Sequence, residues 1–302
     1  MKIAHIPSFQ MMFSSFDLHM KNMINLENFM GIKSLLCPPV HYYLDEKIPD
    51  FDIIHIHGVP PLDACEPFLV LIKRSLLTNK KVIISNYNYS AFSSSPTNRN
   101  QSNEENIFQK VFSFLKDIDI FVYSNEAEKI FKSKNFKKVH KIPICYFGER
   151  EKFEAPKYDS SVTNRIGYFN YVDDIEFFEE KRVVEQIKNL NSEFKFYSLD
   201  YSSLNFEVDL GLCPFNWSNS FPIEVGLFLA SGCPVVLNKD FKFDDFDILQ
   251  NAVRFVDFDE KLISTPQTFE SRRDLAYLFW NSFGTDTCLA WYDSIYQLIL
   301  KH

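Results

Sequence analysis

Three short stretches of this 302-residue sequence carry side chains that could do chemistry. In DIIHIHG (52–58), two histidines stand one residue apart at the end of an apolar run. In FEEKRVV (178–184), Lys181 and Arg182 place two cations side by side. In SFPIEVGLFLASGCPVVLN (220–238), polar residues and a proline precede a short apolar helix. Proteins use histidines, paired cations and helix N-termini for metal or proton chemistry, anion neutralisation and phosphate binding, respectively.

The histidine pair lies on a predicted strand. Side chains alternate along a strand, so His55 and His57 should point to the same face. Their spacing could suit a metal ion, but no third ligand is evident in the sequence, and we predict no metal site there. His57 stands next to Gly58 at the carboxyl end of the strand, and we expect it to contact a substrate.

The stretch before the apolar helix suits a helix N-terminus. Asn219 or Ser220 can act as the N-cap, and Pro222 fits the first turn. Free N–H groups and the positive end of the helix dipole attract phosphate. We therefore expect the N–H groups of Ser220, Phe221 and Ile223 to face a phosphate group. The alternative is a well-capped helix that binds no ligand.

Strand and helix patterns alternate along the chain, which predicts βαβ units, parallel sheets and an α/β fold. Because the strands are almost wholly apolar, helices should cover both faces of each sheet. Predicted strands span 2–7, 33–37, 51–58, 80–89, 118–124, 139–144, 164–169, 194–199, 208–214, 234–238 and 253–258; predicted helices span 13–30, 61–77, 107–116, 125–133, 174–190, 222–230, 244–251, 268–281 and 286–300.

A polar, aperiodic segment at 149–163 is predicted to link two Rossmann-like domains with a cleft between them. The predicted boundaries are 1–155 and 156–285, with residues 286–302 returning to the first domain. Ligands of open parallel sheets bind beyond the carboxyl ends of the strands. The last helix should present Trp291, Tyr292, Ile295, Tyr296 and Ile299 as one apolar face, since they recur at helical spacing.

Composition narrows the class of protein. Hydrophobic residues make up 46% and charged residues 24%, which is ordinary for a globular protein. The net charge of −8 and the pI of about 5.4 disfavour a protein that binds DNA through many phosphate contacts. The six cysteines are scattered without a C-x-x-C pair, which predicts reduced thiols and a cytoplasmic protein. No run approaches the roughly 20 apolar residues of a membrane span.

Five segments, taken in order, resemble the glycosyltransferases of GT-B fold, particularly the retaining, nucleotide-sugar-dependent group. They are SNEAEKIF (124–131), KVHKIPICYFGEREKF (138–153), VDLGLCPFNWSNSFP (208–222), ASGCPVV (230–236) and FGTDTCLAWYDSIYQLILKH (283–302). The resemblance implies transfer of a sugar from a nucleotide diphosphate to an acceptor hydroxyl, with retention at the anomeric carbon. It implies a UDP- or GDP-sugar as donor, bound by the second domain without a required metal or other cofactor.

This sequence departs from the pattern of that group at its nucleotide-binding helix. The group carries two glutamates eight positions apart, and the matching positions here hold Asn219 and Leu227. Asn219 can still bond a sugar hydroxyl, whereas Leu227 cannot. Glu224 lies three residues before Leu227 on roughly the same face. It either takes over the missing role or is a surface charge.

A second departure concerns the cations. The group's arginine position holds Tyr171, and its first-domain histidine position holds Tyr87. A departing diphosphate needs a cation nearby, so Lys181 and Arg182 become candidates, with solvated helix residues as the alternative.

The resemblance thus implies three sets of site residues. The catalytic candidates are His57, Tyr87, Lys181 and Arg182; the donor-binding candidates are Gly167, Phe169, Asn170, Tyr171, Asn219, Ser220, Phe221, Pro222, Ile223 and Glu224; the acceptor-side candidates are Ser8, Phe9, Gln10, Asn88 and Glu126.

The acceptor would be a glycan, a protein or a small molecule. DNA is disfavoured by charge but stays open, because some phage DNA glucosyltransferases share this architecture. The alternatives are an inactive relative that binds a nucleotide or a partner protein, and a binder or hydrolase of another nucleotide.

Overall fold

The computed structural model describes residues 1–8, 15–44, 46–58, 65–85, 114–144, 146, 164–169, 178–199, 207–214, 223–239, 252–262 and 268–301. The chain divides into two compact units: Met1–Phe147 with Cys288–His302 form the first, and Gly148–Thr287 form the second. Each unit contains one parallel sheet with helices between its strands. The predicted α/β class with two Rossmann-like sheets is confirmed.

The sheet of the first unit has the order β2-β1-β3-β4-β5-β6, and its pairs are parallel. Its elements are β1 (Lys2–Pro7), α1 (Ser15–Phe29), β2 (Lys33–Leu36), a 3-10 turn (Val40–Leu44), β3 (Ile53–His57), α2 (Cys65–Leu77), β4 (Lys81–Ser85), β5 (Asp119–Val122), α3 (Asn125–Ser133) and β6 (Val139–Lys141). The chain passes from β1 to β2 on one side and then to β3 on the other. A topological switch point therefore lies between β1 and β3.

The two faces of this sheet differ in chemistry. On one face, Ile54 and Ile56 join an apolar core with Phe68 and Leu71 of α2. The alternating positions of the same strands carry buried polar side chains, including His5, His55, His57 and Ser85. Because the period of a strand is two, a single strand can supply both a core and a polar cluster.

The sheet of the second unit has the order β11-β10-β9-β7-β8 and is also parallel. Its elements are β7 (Arg165–Phe169), α4 (Phe178–Leu190), β8 (Lys195–Leu199), β9 (Leu210–Leu212), α5 (Ile223–Ala230), β10 (Val235–Asn238), β11 (Val253–Val256) and α6 (Phe269–Phe283). β7 lies between β8 and β9. The switch point of this sheet is therefore at the carboxyl ends of β7 and β9.

Two glycines allow α5 to pack closely in the second unit. A Cβ atom on Gly211 of β9 would lie 2.4 Å from the ring of Phe228. Gly232, just after α5, has a φ of +72°, and a Cβ atom there would lie 2.3 Å from the carbonyl oxygen of Arg272. Such distances exclude any larger residue, so these glycines seat α5 against β9 and α6.

The last helix, α7 (Thr285–Lys301), contributes to the first unit. The Cys288 thiol lies 3.8 Å from the carbonyl oxygen of Ile144, and Tyr292 and Tyr296 are buried. Trp291 is 52% exposed, so its assignment to the buried face was wrong. The buried stripe runs through positions 288, 292, 295, 296 and 299, and position 291 lies at its edge.

Within the described part of the chain, no helix is both long enough and apolar enough to cross a membrane. The predicted helices at 107–116 and 244–251 lie outside the described residues, apart from positions 114–116.

Candidate functional site

The first unit brings the carboxyl ends of three strands together. The amide of Ser8 donates to the carbonyl of His57 over 2.8 Å, and the amide of Gly58 donates to the carbonyl of Ser85 over 2.8 Å. Gly58 has a φ of +81°, which lets the chain turn away directly after β3. This is the edge at which open α/β sheets bind their ligands.

Three histidines, which we call the histidine cluster, meet beside this edge. His5, His55 and His57 are each 0% exposed. The rings of His55 and His57 stack with centroids 4.2 Å apart, which confirms that they point the same way. His5 of β1 stands in register with His55, and its ring centroid is 5.0 Å from that of His55. A third imidazole, which was not evident from the sequence, therefore lies beside the pair.

A buried chain of hydrogen bonds runs outward from His5. Its Nδ1 lies 2.8 Å from Nε2 of His57, and its Nε2 lies 2.6 Å from Oε2 of Glu27 on α1. The other carboxylate oxygen of Glu27 accepts from the hydroxyl of Tyr296 on α7. Two helices far apart in the sequence thus fix the orientation of one imidazole.

A second chain starts at His55. Its Nε2 lies 2.8 Å from Oγ of Ser85, which lies 2.7 Å from the hydroxyl oxygen of Tyr123. Among the described residues, Nδ1 of His55 has no hydrogen-bond partner. An unpaired buried polar atom is costly, and such atoms deserve a functional explanation.

Burial dominates the electrostatics of the cluster. It lowers the pKa of His55 well below its ordinary value, and the nearby His5 and His19 lower it further. Burial likewise lowers the pKa of His57, with the largest additional effect from His55. Both imidazoles are therefore neutral at pH 7, the form that accepts a proton or a metal.

The remaining candidates of the first unit are placed as follows. Ser8 is buried at the end of β1, and its hydroxyl has no hydrogen-bond partner among the described residues. Glu126 lies in α3, with its side chain outside the described part of the structure. The candidates Phe9, Gln10, Tyr87 and Asn88 also lie outside the described residues.

In the second unit, Glu224 occupies the first turn of α5 and is 1% exposed. The interpretation of Glu224 as a surface charge is therefore wrong. Burial and the Glu224 carboxylate together raise the pKa of the Cys213 thiol well above its usual value, so this carboxylate lies near the carboxyl end of β9. Leu227 is 2% exposed and belongs to the core.

Gly167 and Phe169 of β7 are core positions. A Cβ atom on Gly167 would lie 2.8 Å from Leu199 and 2.9 Å from Val208. The ring of Phe169 is 0% exposed and its centroid lies 5.3 Å from that of Phe228. Packing contacts occupy the side-chain positions of both residues, and their assignment to the donor site stays a prediction.

Helices α4 and α5 carry the other described candidates of the second unit. Ile223 begins α5 and is buried, and Arg182 of α4 is exposed. Lys181 lies in α4, with its side chain outside the described part. The candidates Asn170, Tyr171, Asn219, Ser220, Phe221 and Pro222 lie outside the described residues.

A buried ionic group, which no sequence pattern indicated, lies at the amino ends of β7 and β9 in the second sheet. Asp209 accepts from Arg272 over 2.7 Å and from Arg165 over 2.9 and 3.1 Å. Burial alone would raise the pKa of Asp209, but the hydrogen bonds from Arg272 and Arg165 outweigh it and hold that pKa below its usual range. We call these three residues the Arg–Asp–Arg group.

No family model matches this sequence, and no curated protein matches it in sequence. Solved structures do match its fold. HepE (Alr3699) of Anabaena, in complex with UDP and glucose, superimposes with a TM-score of 0.64 at 9% identity, covering 98% of this chain and 99% of its own. A glycosyltransferase from Rickettsia africae gives a TM-score of 0.60 at 12% identity, covering 100% and 98%.

A third similar structure is an alpha-glucosyltransferase, AGT, in complex with UDP. Its TM-score is 0.54 at 10% identity, covering 99% of each chain. These overlaps span the whole of both units, while the identities are far too low to carry over residue roles. Two parallel sheets with these strand orders, matched from end to end by glycosyltransferases, show that the chain has the GT-B glycosyltransferase fold.

Proposed function

We propose that this protein is a glycosyltransferase that moves a sugar from a nucleoside-diphosphate sugar to an acceptor hydroxyl. The observation that carries the proposal is the position of α5, which begins after β9 at the switch point of the second sheet. The N-terminus of a helix in that position can bind a diphosphate through its free N–H groups. HepE and AGT were both solved with UDP, so a UDP-sugar is the first donor to test and a GDP-sugar the second.

In this proposal, residues 156–285 form the donor side. Glu224 accepts a hydrogen bond from a hydroxyl of the donor sugar or ribose, a role for which its burial at the start of α5 suits it. Asn219 contacts the sugar, and Lys181 and Arg182 of α4 neutralise the departing diphosphate. Donor binding requires no metal ion, because helix N–H groups and cations meet the phosphate charge.

Residues 1–155 with 286–302 form the acceptor side. Buried Ser8 and His57 mark the carboxyl edge of the first sheet, where its switch point lies. A hydroxyl of a glycan, a protein or a small molecule is the acceptor, and the product retains the anomeric configuration of the donor.

Ligand-induced stabilisation tests the donor side first. UDP, GDP, ADP and CDP at millimolar concentration are compared by thermal unfolding. A diphosphate at 100 times its dissociation constant adds about 2.7 kcal/mol to the free energy of unfolding. Hydrolysis of the matching sugar nucleotide is then followed, and the anomeric proton of the released or transferred sugar reports retention. An unmoved melting temperature with all four nucleotides refutes the proposal.

One observation favours a second candidate, an inactive relative that binds a nucleotide or a partner protein. Leu227 stands where the retaining group carries a glutamate, and its side chain is in the core. Stabilisation by a nucleotide without turnover of any sugar nucleotide would support this candidate.

A further inference from the structure

The histidine cluster has the composition of a metal site. One nitrogen from each of His5, His55 and His57 lies within 4.8 Å of the others. The three side chains come from the adjacent strands β1 and β3, so their backbone positions are held by the sheet. Three converging imidazoles are a ligand set that zinc accepts, with the fourth position left to water.

The surroundings of the cluster match what metal-bound histidines need. A histidine that binds a metal through one nitrogen usually donates its other N–H to an oxygen, which orients the ring. Nε2 of His5 has such a partner in Glu27, and Nε2 of His55 has one in Ser85. When these two nitrogens carry the protons, Nδ1 of each ring keeps its lone pair for a metal.

We propose that the histidine cluster binds one divalent transition-metal ion, Zn²⁺ first, through Nδ1 of His5, Nδ1 of His55 and Nε2 of His57. Neutral imidazole nitrogens suit Zn²⁺, Co²⁺ and Ni²⁺, whereas Mg²⁺ and Ca²⁺ prefer oxygen ligands. The ion takes the place of the proton between Nδ1 of His5 and Nε2 of His57, which lie 2.8 Å apart, and a neutral His57 then carries its proton on Nδ1. Zn–N bonds of about 2.0 Å require these two nitrogens to move apart to about 3.3 Å.

The proposal does not depend on sugar transfer. Its ligands lie in the first unit, and none of them belongs to the donor-binding set of the second unit. It explains why the hydroxyl of Tyr296 and the carboxylate of Glu27 are buried together behind one imidazole. It also gives Nδ1 of His55, which has no hydrogen-bond partner in the described part of the chain, a role as a ligand.

The test uses the full chain without a polyhistidine tag, stripped of metals with a chelator. Co²⁺ is added first, because tetrahedral coordination gives intense visible absorption bands that report the ligand set directly. We expect one equivalent to bind, Zn²⁺ to displace it, and Zn²⁺ to raise the melting temperature in a way that EDTA reverses.

Three variants and one control sharpen the result. His55→Gln and His57→Gln should lose stoichiometric binding, and Glu27→Gln should weaken it by about 10- to 100-fold. His140→Gln is the control, because His140 lies on β6 of the same sheet and bonds Asp119 instead. This variant should still bind one equivalent of metal ion.

Two outcomes overturn the proposal. One is a wild-type protein that gives no cobalt bands and no zinc-dependent stabilisation. The other is stoichiometric binding that survives in both His55→Gln and His57→Gln. The wild-type measurement decides the question even where a variant fails to fold.

Discussion

The histidine cluster and the Arg–Asp–Arg group are both buried and polar, yet they sit at opposite ends of their strands. The cluster lies toward the carboxyl ends of β1 and β3, at the switch point of the first sheet. Asp209 and Arg165 stand at the amino ends of β9 and β7 in the second sheet. Burial lowers the pKa of His55 and His57 in the cluster, whereas hydrogen bonds from two arginines hold the pKa of Asp209 below its usual range.

The end of the strands at which a buried polar group lies predicts whether it serves ligand binding or stability. Ligands of open α/β sheets bind beyond the carboxyl ends of the strands, so polar groups at that edge are available for chemistry. A buried ionic group at the amino edge has a different role: it ties α6 to the start of two strands. We therefore expect substitutions at the carboxyl edges to change binding or rate, and substitutions at the amino edge to change stability.

The largest expected effect comes from removing residues from Thr285 onward. This truncation deletes α7 and with it the buried side chains of Tyr292, Tyr296 and Ile299. We expect insoluble protein, because the apolar surface that these side chains cover becomes exposed. A chain that lacks only Lys301 and His302 is the control and should stay soluble. A soluble, cooperatively folded product of the long truncation would contradict the assignment of α7 to the first unit.

Asp209→Asn should cost about 3–5 kcal/mol of unfolding free energy, because it leaves the fully buried Arg272 without its counter-charge. Denaturant unfolding measures the effect. Asp274→Asn removes an exposed carboxylate that pairs with Arg273, and its effect should stay within about 0.5 kcal/mol. Equal losses of stability in both variants would mean that the buried ion pairs of Asp209 stabilise the protein no more than an exposed pair does.

Substitution of the cations of α4 should act on rate. Arg182→Ala or Lys181→Ala should slow the chemical step on the order of 100-fold, equivalent to about 3 kcal/mol, if that cation stabilises the departing diphosphate. Single-turnover kinetics with the identified donor measures this step. Because Arg182 is exposed, stability should change little. Wild-type rates in both variants would show that the leaving-group site lies elsewhere.

Glu224→Gln makes the sharpest comparison with Asp209→Asn, since both replace a buried carboxylate by its amide. Loss of a hydrogen bond to a charged group costs about 1.5–3 kcal/mol, and we expect a loss of about 10- to 100-fold in kcat/KM. Glu270→Gln is the matched control, because Glu270 is exposed in the first turn of α6. If Glu224→Gln lowers stability but leaves kcat/KM unchanged, Glu224 has only a structural role.

The smallest expected effect is a change in how stability depends on pH, and it occurs only at acidic pH. The folded-state pKa of Asp209 lies below its unfolded value, which is about 3.9. Its contribution to stability is therefore complete above about pH 4 and is lost as the pH falls through the folded pKa. Urea unfolding between pH 5 and acid should show a shallower loss in Asp209→Asn than in the wild type. Identical slopes would mean that folding does not lower the pKa of Asp209.

Local patterns predicted most of the secondary structure. The helix at Asn125–Ser133 and the strand at Arg165–Phe169 were both predicted, because strand alternation and helix caps depend on neighbours in sequence. The same local reasoning placed His55 and His57 on one face. The domain boundaries stay a prediction.

The site residues were harder to predict because their surroundings are set by the tertiary structure. His5 joined the cluster only once β1 was placed next to β3, and Asp209 is 63 residues from Arg272. Glu224 was ambiguous for a different reason: α5 is apolar on every side, so no polar face showed whether its one carboxylate was exposed. The candidate cations and phosphate-binding groups rest on residue type and sequence position alone, so their roles stay predictions.

The return of α7 to the first unit has a consequence for biogenesis. The ribosome makes residues 148–287 before it makes residues 288–301, so the second unit can fold from one continuous stretch while the first still lacks a helix. Tyr296, which bonds Glu27 and through it holds His5, is synthesised after the whole of the second unit. The three histidines therefore reach their final arrangement only after the second unit has been synthesised, although their own strands precede it in the chain.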